Sequence, residues 1–196
     1  MSKCAVKIIE KRNIEAHQNR DNLTALLKSE LDMLQNLVHP HIVHVLELLE
    51  DNENLYFAME LIENGNLMDV LDEISTNNYN FTAADAAGLV HQLLTALNYM
   101  HKQKIMHRDL KLQNVMVNIE MNNGVPEMVC KLTDFGFSCV LEQNHMSSLK
   151  LGSKLYMAPE IFEDEPYDKK VDTWALGVLT YIMLTSAYPF TGKTKK

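Results

Sequence analysis

The sequence has no cysteine framework. Cys4, Cys130 and Cys139 are its only cysteines, and no two stand as a C-x-x-C pair. An odd, scattered set argues against a disulfide scaffold and fits reduced thiols acting as small core residues. No charged-then-apolar signal segment follows Met1, and no apolar run approaches the length of a bilayer span. A cytoplasmic chain without a membrane span is therefore expected. A basic excess is lacking too: 18 Lys and Arg stand against 26 Asp and Glu, a net charge of -8 spread over both halves. That argues against a nucleic-acid partner. No G-x-G-x-x-G run, internal repeat or low-complexity tract occurs. What is present is a composition that builds a core, 46% apolar over 196 residues, a common single-domain size.

The densest chemistry lies in Ile105-Met106-His107-Arg108-Asp109-Leu110-Lys111-Leu112-Gln113-Asn114-Val115-Met116-Val117. A short apolar lead-in precedes a loop holding His, Arg, Asp, Lys and Asn, and a short strand follows. Further on comes Lys131-Leu132-Thr133-Asp134-Phe135-Gly136, a second acid after a β-like run. Two such loops side by side would gather Asp109, Lys111, Asn114 and Asp134 around one point. That set can bind a divalent cation and orient a hydroxyl.

His107-Arg108-Asp109-Leu110-Lys111-x-x-Asn114, then Asp134-Phe135-Gly136, then Ala158-Pro159-Glu160, resemble three motifs of the eukaryotic protein kinases in order and spacing. They match the catalytic loop, the metal-binding motif and the end of the activation segment. The resemblance is to the Ser/Thr type, nearest the calcium/calmodulin-dependent and calcium-dependent kinases. It implies an α+β, two-lobed fold, with residues 1–62 a partial N-lobe and 63–196 a partial C-lobe. It implies ATP and Mg²⁺ as cofactors and Ser/Thr hydroxyls of proteins as acceptors. An activating kinase or calcium-linked regulator would be a further partner.

The same resemblance assigns roles. Asp109 would orient the acceptor hydroxyl and take its proton, Lys111 would neutralise the moving phosphoryl group, and Asn114 and Asp134 would hold the metal. The nucleotide would be held by Ala5, Lys7, Glu30, Met59, Glu60, Ile62, Asn66, Met116 and Asp134. Among these, Lys7 would hold the α- and β-phosphates and pair with Glu30. Met59 would guard the back pocket, and backbone groups around Glu60 and Ile62 would bind adenine. His107, Phe135, Leu34 and Val45 would stack as a hydrophobic column, with Asp172 bonded to the catalytic-loop backbone. Ser153 falls where relatives place a Thr touching the catalytic Asp and Lys. Leu112 departs from the usual Pro. Asn66, Gln113 and Ile182 stand where arginine-directed relatives carry acids, so only a weak preference for basic peptides is expected.

Read in order, the chain opens with the β-rich run Cys4-Ala5-Val6-Lys7-Ile8-Ile9. A polar stretch over 11–22 precedes leucines 23, 26, 27, 31, 34 and 37, whose spacing predicts a helix over about 22–38. Glu30 lies within that stripe, where a solvated Glu is the plain alternative to a pair with Lys7. His39, His41 and His44 invite a metal site, but no fourth ligand is apparent and a structural link is preferred. Strands are expected over 42–49 and 54–60 with a turn at Asp51–Asn54. A helix is expected over Leu67 to Ile74, a polar loop over 75–80 and a long helix over 82–102. Thr82 would cap that helix, with Asp85 at its third position. Leu89, Val90, Leu93, Leu94, Leu97 and Met100 would form its buried stripe. Asn118 to Glu127 reads as a long hairpin connection.

Ser147 and Ser148 read equally as phosphosites or as plain polar loop. From Trp174 to Leu184 the chain is apolar nearly all round, which predicts a helix buried on every side. Thr191-Gly192-Lys193-Thr194 mimics a P-loop end but lacks its first Gly and preceding strand. Relatives carry a Gly-rich loop before the lysine strand and further helices after the apolar one. A domain lacking both is the expectation, with weakened phosphate binding and exposed apolar surface. The leading reading is a Ser/Thr protein kinase. The alternative is a truncated kinase-like fragment acting as a non-catalytic binding or regulatory module.

Overall fold

The computed structural model describes residues 3–11, 35–76, 81–134, 139–140, 153–163 and 166–190. The expected helix over 22–38 falls largely outside them, with Glu30 and Leu34. Phe135, Gly136, Ser147, Ser148 and the 191–194 run also fall outside.

Three antiparallel strands open the fold: β1 (Cys4–Glu10), β2 (Val45–Glu50) and β3 (Asn54–Glu60), with β3 central. Alternation along β1 decides what each residue does. Val6 and Ile8 point to solvent at 52% and 59% exposure, while Ala5, Lys7 and Ile9 lie on the inner face. Lys7 is thereby an inward-facing lysine, opposite Phe57. The turn between β2 and β3 is closed by Asp51, whose Oδ1 accepts the amides of Glu53 and Asn54.

The strand expected from residue 42 begins only at Val45, with a bulge between Val45 and Glu47. The backbone just before it pairs elsewhere: Val43 N donates to Leu132 O at 2.8 Å, and Leu132 N to His41 O at 3.0 Å. That pairing ties the start of the first sheet to the second layer.

Helices follow. In α1 (Leu67–Thr76) Asn66 Oδ1 accepts the amides of Met68 and Asp69, and Asp69 Oδ2 accepts the amide of Asn66. The same reciprocal cap, Thr82 with Asp85, starts α2 (Ala83–Lys102), as expected. Leu89, Leu93, Leu97 and Met100 of α2 are buried, and Val90 packs partly against the core. Leu94 does not belong to this stripe and is 45% exposed. It follows Leu93 directly, a step of about 100° that turns it off the packed face.

After β4 (Ile105–Met106) and a 3₁₀ turn, Leu112–Asn114, comes a regular hairpin, β5 (Val115–Asn122) and β6 (Val125–Leu132). The long connection expected over Asn118–Glu127 is therefore mostly strand. Asn123 and Gly124 close the turn with φ of 51° and 81°, the left-handed pair of a two-residue type I′ turn. β7 (Cys139–Val140) pairs with β4. A second 3₁₀ turn, Lys154–Tyr156, leads to α3 (Pro159–Phe162) and α4 (Lys170–Thr185).

Helix α2 packs against both β6 and α4. Its Gln92 side chain bonds Met128 O and Cys130 N, satisfying the backbone of β6. Helix α4 is not buried all round. Val171, Leu176, Val178, Leu179, Ile182 and Met183 are covered, whereas Tyr181 and Leu184 are 45% and 51% exposed. Of the cysteines, Cys130 is in the core as expected, but Cys4 is exposed because it lies on the outward side of β1. The whole is an α+β fold, a small sheet joined to a mainly helical part.

Candidate active site

The site is built around the loop between β4 and β5. Its backbone is pinned by Asp172, which the first turn of α4 places in the interior at 1% exposure. Asp172 Oδ1 accepts the Arg108 amide at 2.9 Å, and Oδ2 accepts the His107 amide at 3.0 Å. This is the anchor expected of Asp172. Arg108 takes the left-handed region at φ 67°, a conformation a non-glycine residue holds only when its surroundings enforce it. His101, from the last turn of α2, places Nε2 2.7 Å from Asp172 Oδ2. Sequence reasoning had no signal for His101.

His107 is buried and acts as an internal strut. Its Nε2 lies 3.1 Å from Thr133 O, and its Nδ1 accepts the Asp109 amide at 3.3 Å. These partners assign the proton to Nε2. Val45, its expected neighbour in the column, is buried as well.

Asp109 is 3% exposed, and each carboxylate oxygen has a distinct set of donors. Oδ2 accepts Lys111 Nζ at 2.6 Å and Asn114 Nδ2 at 3.0 Å. Oδ1 accepts the amide of Ser153 at 2.9 Å and its hydroxyl at 3.0 Å. Asn114 Nδ2 also bonds the Asp109 carbonyl at 2.8 Å. The loop, the following 3₁₀ turn and the 153–156 segment thus hold one carboxylate in a fixed orientation. With Nδ2 committed in this way, the Asn114 oxygen remains as a hard ligand.

Asp134 follows β6 with φ of 62° and binds Lys7 Nζ through Oδ1. Glu30 lies outside the described residues, and the carboxylate that Lys7 meets among them is that of Asp134. Thr133 N donates to Asn114 O at 3.0 Å, which keeps Asp134 beside the 3₁₀ turn. Among the described residues no three His, Cys, Asp or Glu side chains gather as a metal cage. Asn114 and Asp134 offer two oxygen donors, a set that fits Mg²⁺, which takes one or two protein ligands and completes its shell with phosphate and water.

The other nucleotide candidates are placed by the sheet. Ala5 and Met59 are partners across β1 and β3. Glu60 ends β3, its Oε1 accepting the His44 amide and both its oxygens accepting from the single ammonium of Lys131, a partner not foreseen from the sequence. Ile62 lies two residues beyond. Asn66 forms an isolated bridge with Met116, and its side chain is committed to the start of α1. The three histidines support the link to β2. His39 Nδ1 accepts the His41 amide, and His41 Nδ1 lies 3.0 Å from Cys130 O.

Comparison with known proteins shows the family of the chain. The protein kinase domain family matches residues 1–196. Myosin light chain kinase A of Dictyostelium discoideum is 35% identical over 190 residues, covering 97% of this chain and 60% of that protein. Calcium/calmodulin-dependent protein kinase type 1 of Macrobrachium nipponense is 34% identical over 186 residues, covering 95% and 50%. The serine/threonine-protein kinase cds1 of Schizosaccharomyces pombe is 33% identical over 198 residues, covering 97% and 41%. The chain spans about half the length of these curated relatives.

Proposed function

The chain belongs to the protein kinase family, and from that premise we propose that it transfers the γ-phosphate of ATP to Ser and Thr hydroxyls of proteins. The observation that carries this reading is the division of labour at Asp109. One oxygen is held by Lys111 and Asn114, the other by Ser153. A carboxylate so fixed can accept a hydrogen bond from an incoming hydroxyl and take its proton as phosphate transfers. Lys111, already 2.6 Å from Asp109, lies beside the path of the moving phosphoryl group and offsets its charge.

Lys7 holds the α- and β-phosphates, and Ala5, Met59, Glu60, Ile62, Asn66 and Met116 frame the nucleotide. Asn114 and Asp134 would hold Mg²⁺, which would offset the charge of the phosphate oxygens. Lys7 and Asp134, paired with each other here, are the two groups that would turn to these contacts. Glu30 completes the set as a partner of Lys7. We extend the proposal to a two-lobed arrangement divided between residues 62 and 63 and to a cytoplasmic setting. A calcium-linked regulator or activating kinase is included because relatives carry calcium/calmodulin-dependent names.

The test is transfer of labelled phosphate from ATP-Mg²⁺ to a generic Ser/Thr protein. Asp109→Asn and Asp134→Ala should each abolish it, with melting curves taken alongside to show that each variant is folded at the assay temperature. Transfer that persists in both variants would remove the proposal.

A further inference from the structure

Beside Asp109 lies an open pocket of about 520 Å³, lined by Lys111, Gln113, Asn114, Ser153, Lys154, Leu155, Tyr156 and Tyr188. Among the described residues two ammonium groups line it and no carboxylate does. Lys111 is paired with Asp109, whereas Lys154 has no carboxylate partner among the described residues. Position matters more than charge alone here. Lys154 directly follows Ser153, the residue bonded to the Asp109 carboxylate. Its Cα therefore lies about 3.8 Å from that of a residue touching the reacting group.

A single exposed lysine is ordinarily a solvated one, and two further observations set this one apart. The pocket wall includes Tyr156, which is 5% exposed and whose buried hydroxyl makes no hydrogen bond of full geometry among the described residues. Burial pushes that phenol well above its usual range, with the Tyr188 hydroxyl adding to the shift, so this wall of the pocket stays uncharged and adds no negative charge that would oppose an anion. Among the described residues, groups that could attract a cationic residue are also absent from the lining. Gln113 is neutral, Ile182 is buried in the core, and the Asn66 amide caps α1. The acids of α1, Asp69, Asp72 and Glu73, line no part of the pocket.

We propose that this pocket selects acceptor segments carrying an anionic side chain, a carboxylate or a phosphate, within two residues of the Ser or Thr hydroxyl. Lys154 is the specificity-determining group, with Lys111 setting the sign of the local field. The inference rests on the kinase reading for the identity of the acceptor, but not for the charge it selects. The net charge of -8 opposes acidic partners at long range. Beyond about 8 Å that repulsion is screened at physiological salt, while contacts inside the pocket are not.

The experiment uses the full chain and a fluorescein-labelled 12-residue peptide with one central Ser. Glu, phosphoserine, Gln or Lys is placed in turn at each of the two positions on either side. Binding is read by anisotropy, which needs no phosphate transfer, and transfer is measured in parallel. The expected order is Glu or phosphoserine over Gln over Lys at one or more positions, with Glu and Lys differing by about tenfold. Lys154→Glu should invert that order and Lys154→Gln should flatten it. Both changes are at an exposed side chain, so the melting temperature should hold. A separation between Glu and phosphoserine distinguishes a carboxylate pocket from a phosphate pocket. Preference for Lys in the parent, an order unchanged by Lys154→Glu, or no binding of any peptide would each overturn the proposal. Charge selection without transfer would instead remove the proposed phosphate transfer by this chain and leave the pocket assignment standing.

Discussion

Lys131 donates to both carboxylate oxygens of Glu60, at 2.8 Å each, and so joins the end of β3 to β6. The pair bridges the two layers at a decisive place. Glu60 directly follows Met59, and Lys131 stands three residues before Asp134. Glu60 also accepts the His44 amide at 2.8 Å, while its own amide donates to His44 O at 3.0 Å. Both side chains keep less than a third of their exposure, at 21% for Lys131 and 29% for Glu60.

Screening at that partial exposure keeps the pair modest in energy. A double-mutant cycle with Lys131→Met and Glu60→Gln should give a coupling of about 1 kcal/mol. Urea unfolding of the four proteins measures it. A coupling indistinguishable from zero would mean that the pair adds nothing to the join already made by the 41–43 backbone pairing and the Lys7–Asp134 pair.

Asp172 should be far more costly to lose. Its carboxylate serves two backbone amides and the His101 ring, and nothing else described replaces it. Asp172→Ala leaves those donors unsatisfied in a buried site, a loss of about 3 kcal/mol or more. It also frees Arg108 from its left-handed conformation, which shifts Asp109. Where the variant still folds, phosphate transfer should fall about a hundredfold. Melting curves and kcat, measured together below the melting temperature of the variant, separate the two effects.

The parts of the fold that could be read from the sequence follow from local chemistry. The Thr82–Asp85 cap, the period-two exposure of β1 and the helical spacing in α2 are properties of neighbours along the chain. The gathering of Asp109, Lys111 and Asn114 was legible because they crowd one short polar loop, while the roles proposed for them came with the family resemblance. What was missed depends on distant partners. Lys131 reads as a strand lysine until β3 brings Glu60 to it, and His101 gains meaning only when α4 delivers Asp172. Residue 42 looked like strand, but its neighbours bond β6 instead. The hairpin at 115–132 was a different kind of miss. Asn123-Gly124 is a local signal for a two-residue turn, and the polar run around it hid the signal.

His39 sets an acid limit. Burial lowers its pKa below 6.5, and the neighbouring His41 lowers it further. Its Nδ1 accepts the His41 amide, a role open only to the unprotonated nitrogen. A histidine with a depressed folded pKa contributes stability above the unfolded value near 6.5, and that contribution is lost as pH falls through the lower folded value. Stability should therefore drop from pH 6.5 downward, and His39→Asn, which keeps a side-chain acceptor without a proton to gain, should flatten the drop. Urea midpoints at half-unit pH steps test this. Parallel curves for parent and variant would assign the acid loss to other groups.

Cys130 sets the opposite limit. Its thiol is buried against α2, with Sγ 3.9 Å from Leu89 O, and burial pushes its pKa from 9.0 up to about 12. The reactive species is the thiolate, so native Cys130 should resist iodoacetamide at pH 8 while exposed Cys4 is alkylated. Both should react in urea, and peptide mass mapping before and after denaturation distinguishes them. The raised folded pKa also has a stability consequence. Below pH 9 both states keep the proton and the contribution is complete. Between 9 and 12 the unfolded chain releases its proton and the folded one does not, so stability declines with rising pH. Cys130→Ala removes this slope but leaves a small cavity, so it should start less stable and lose less between those values. A native Cys130 alkylated as fast as Cys4 would show that β6 opens readily from α2, and with it the strand that carries the chain to Asp134.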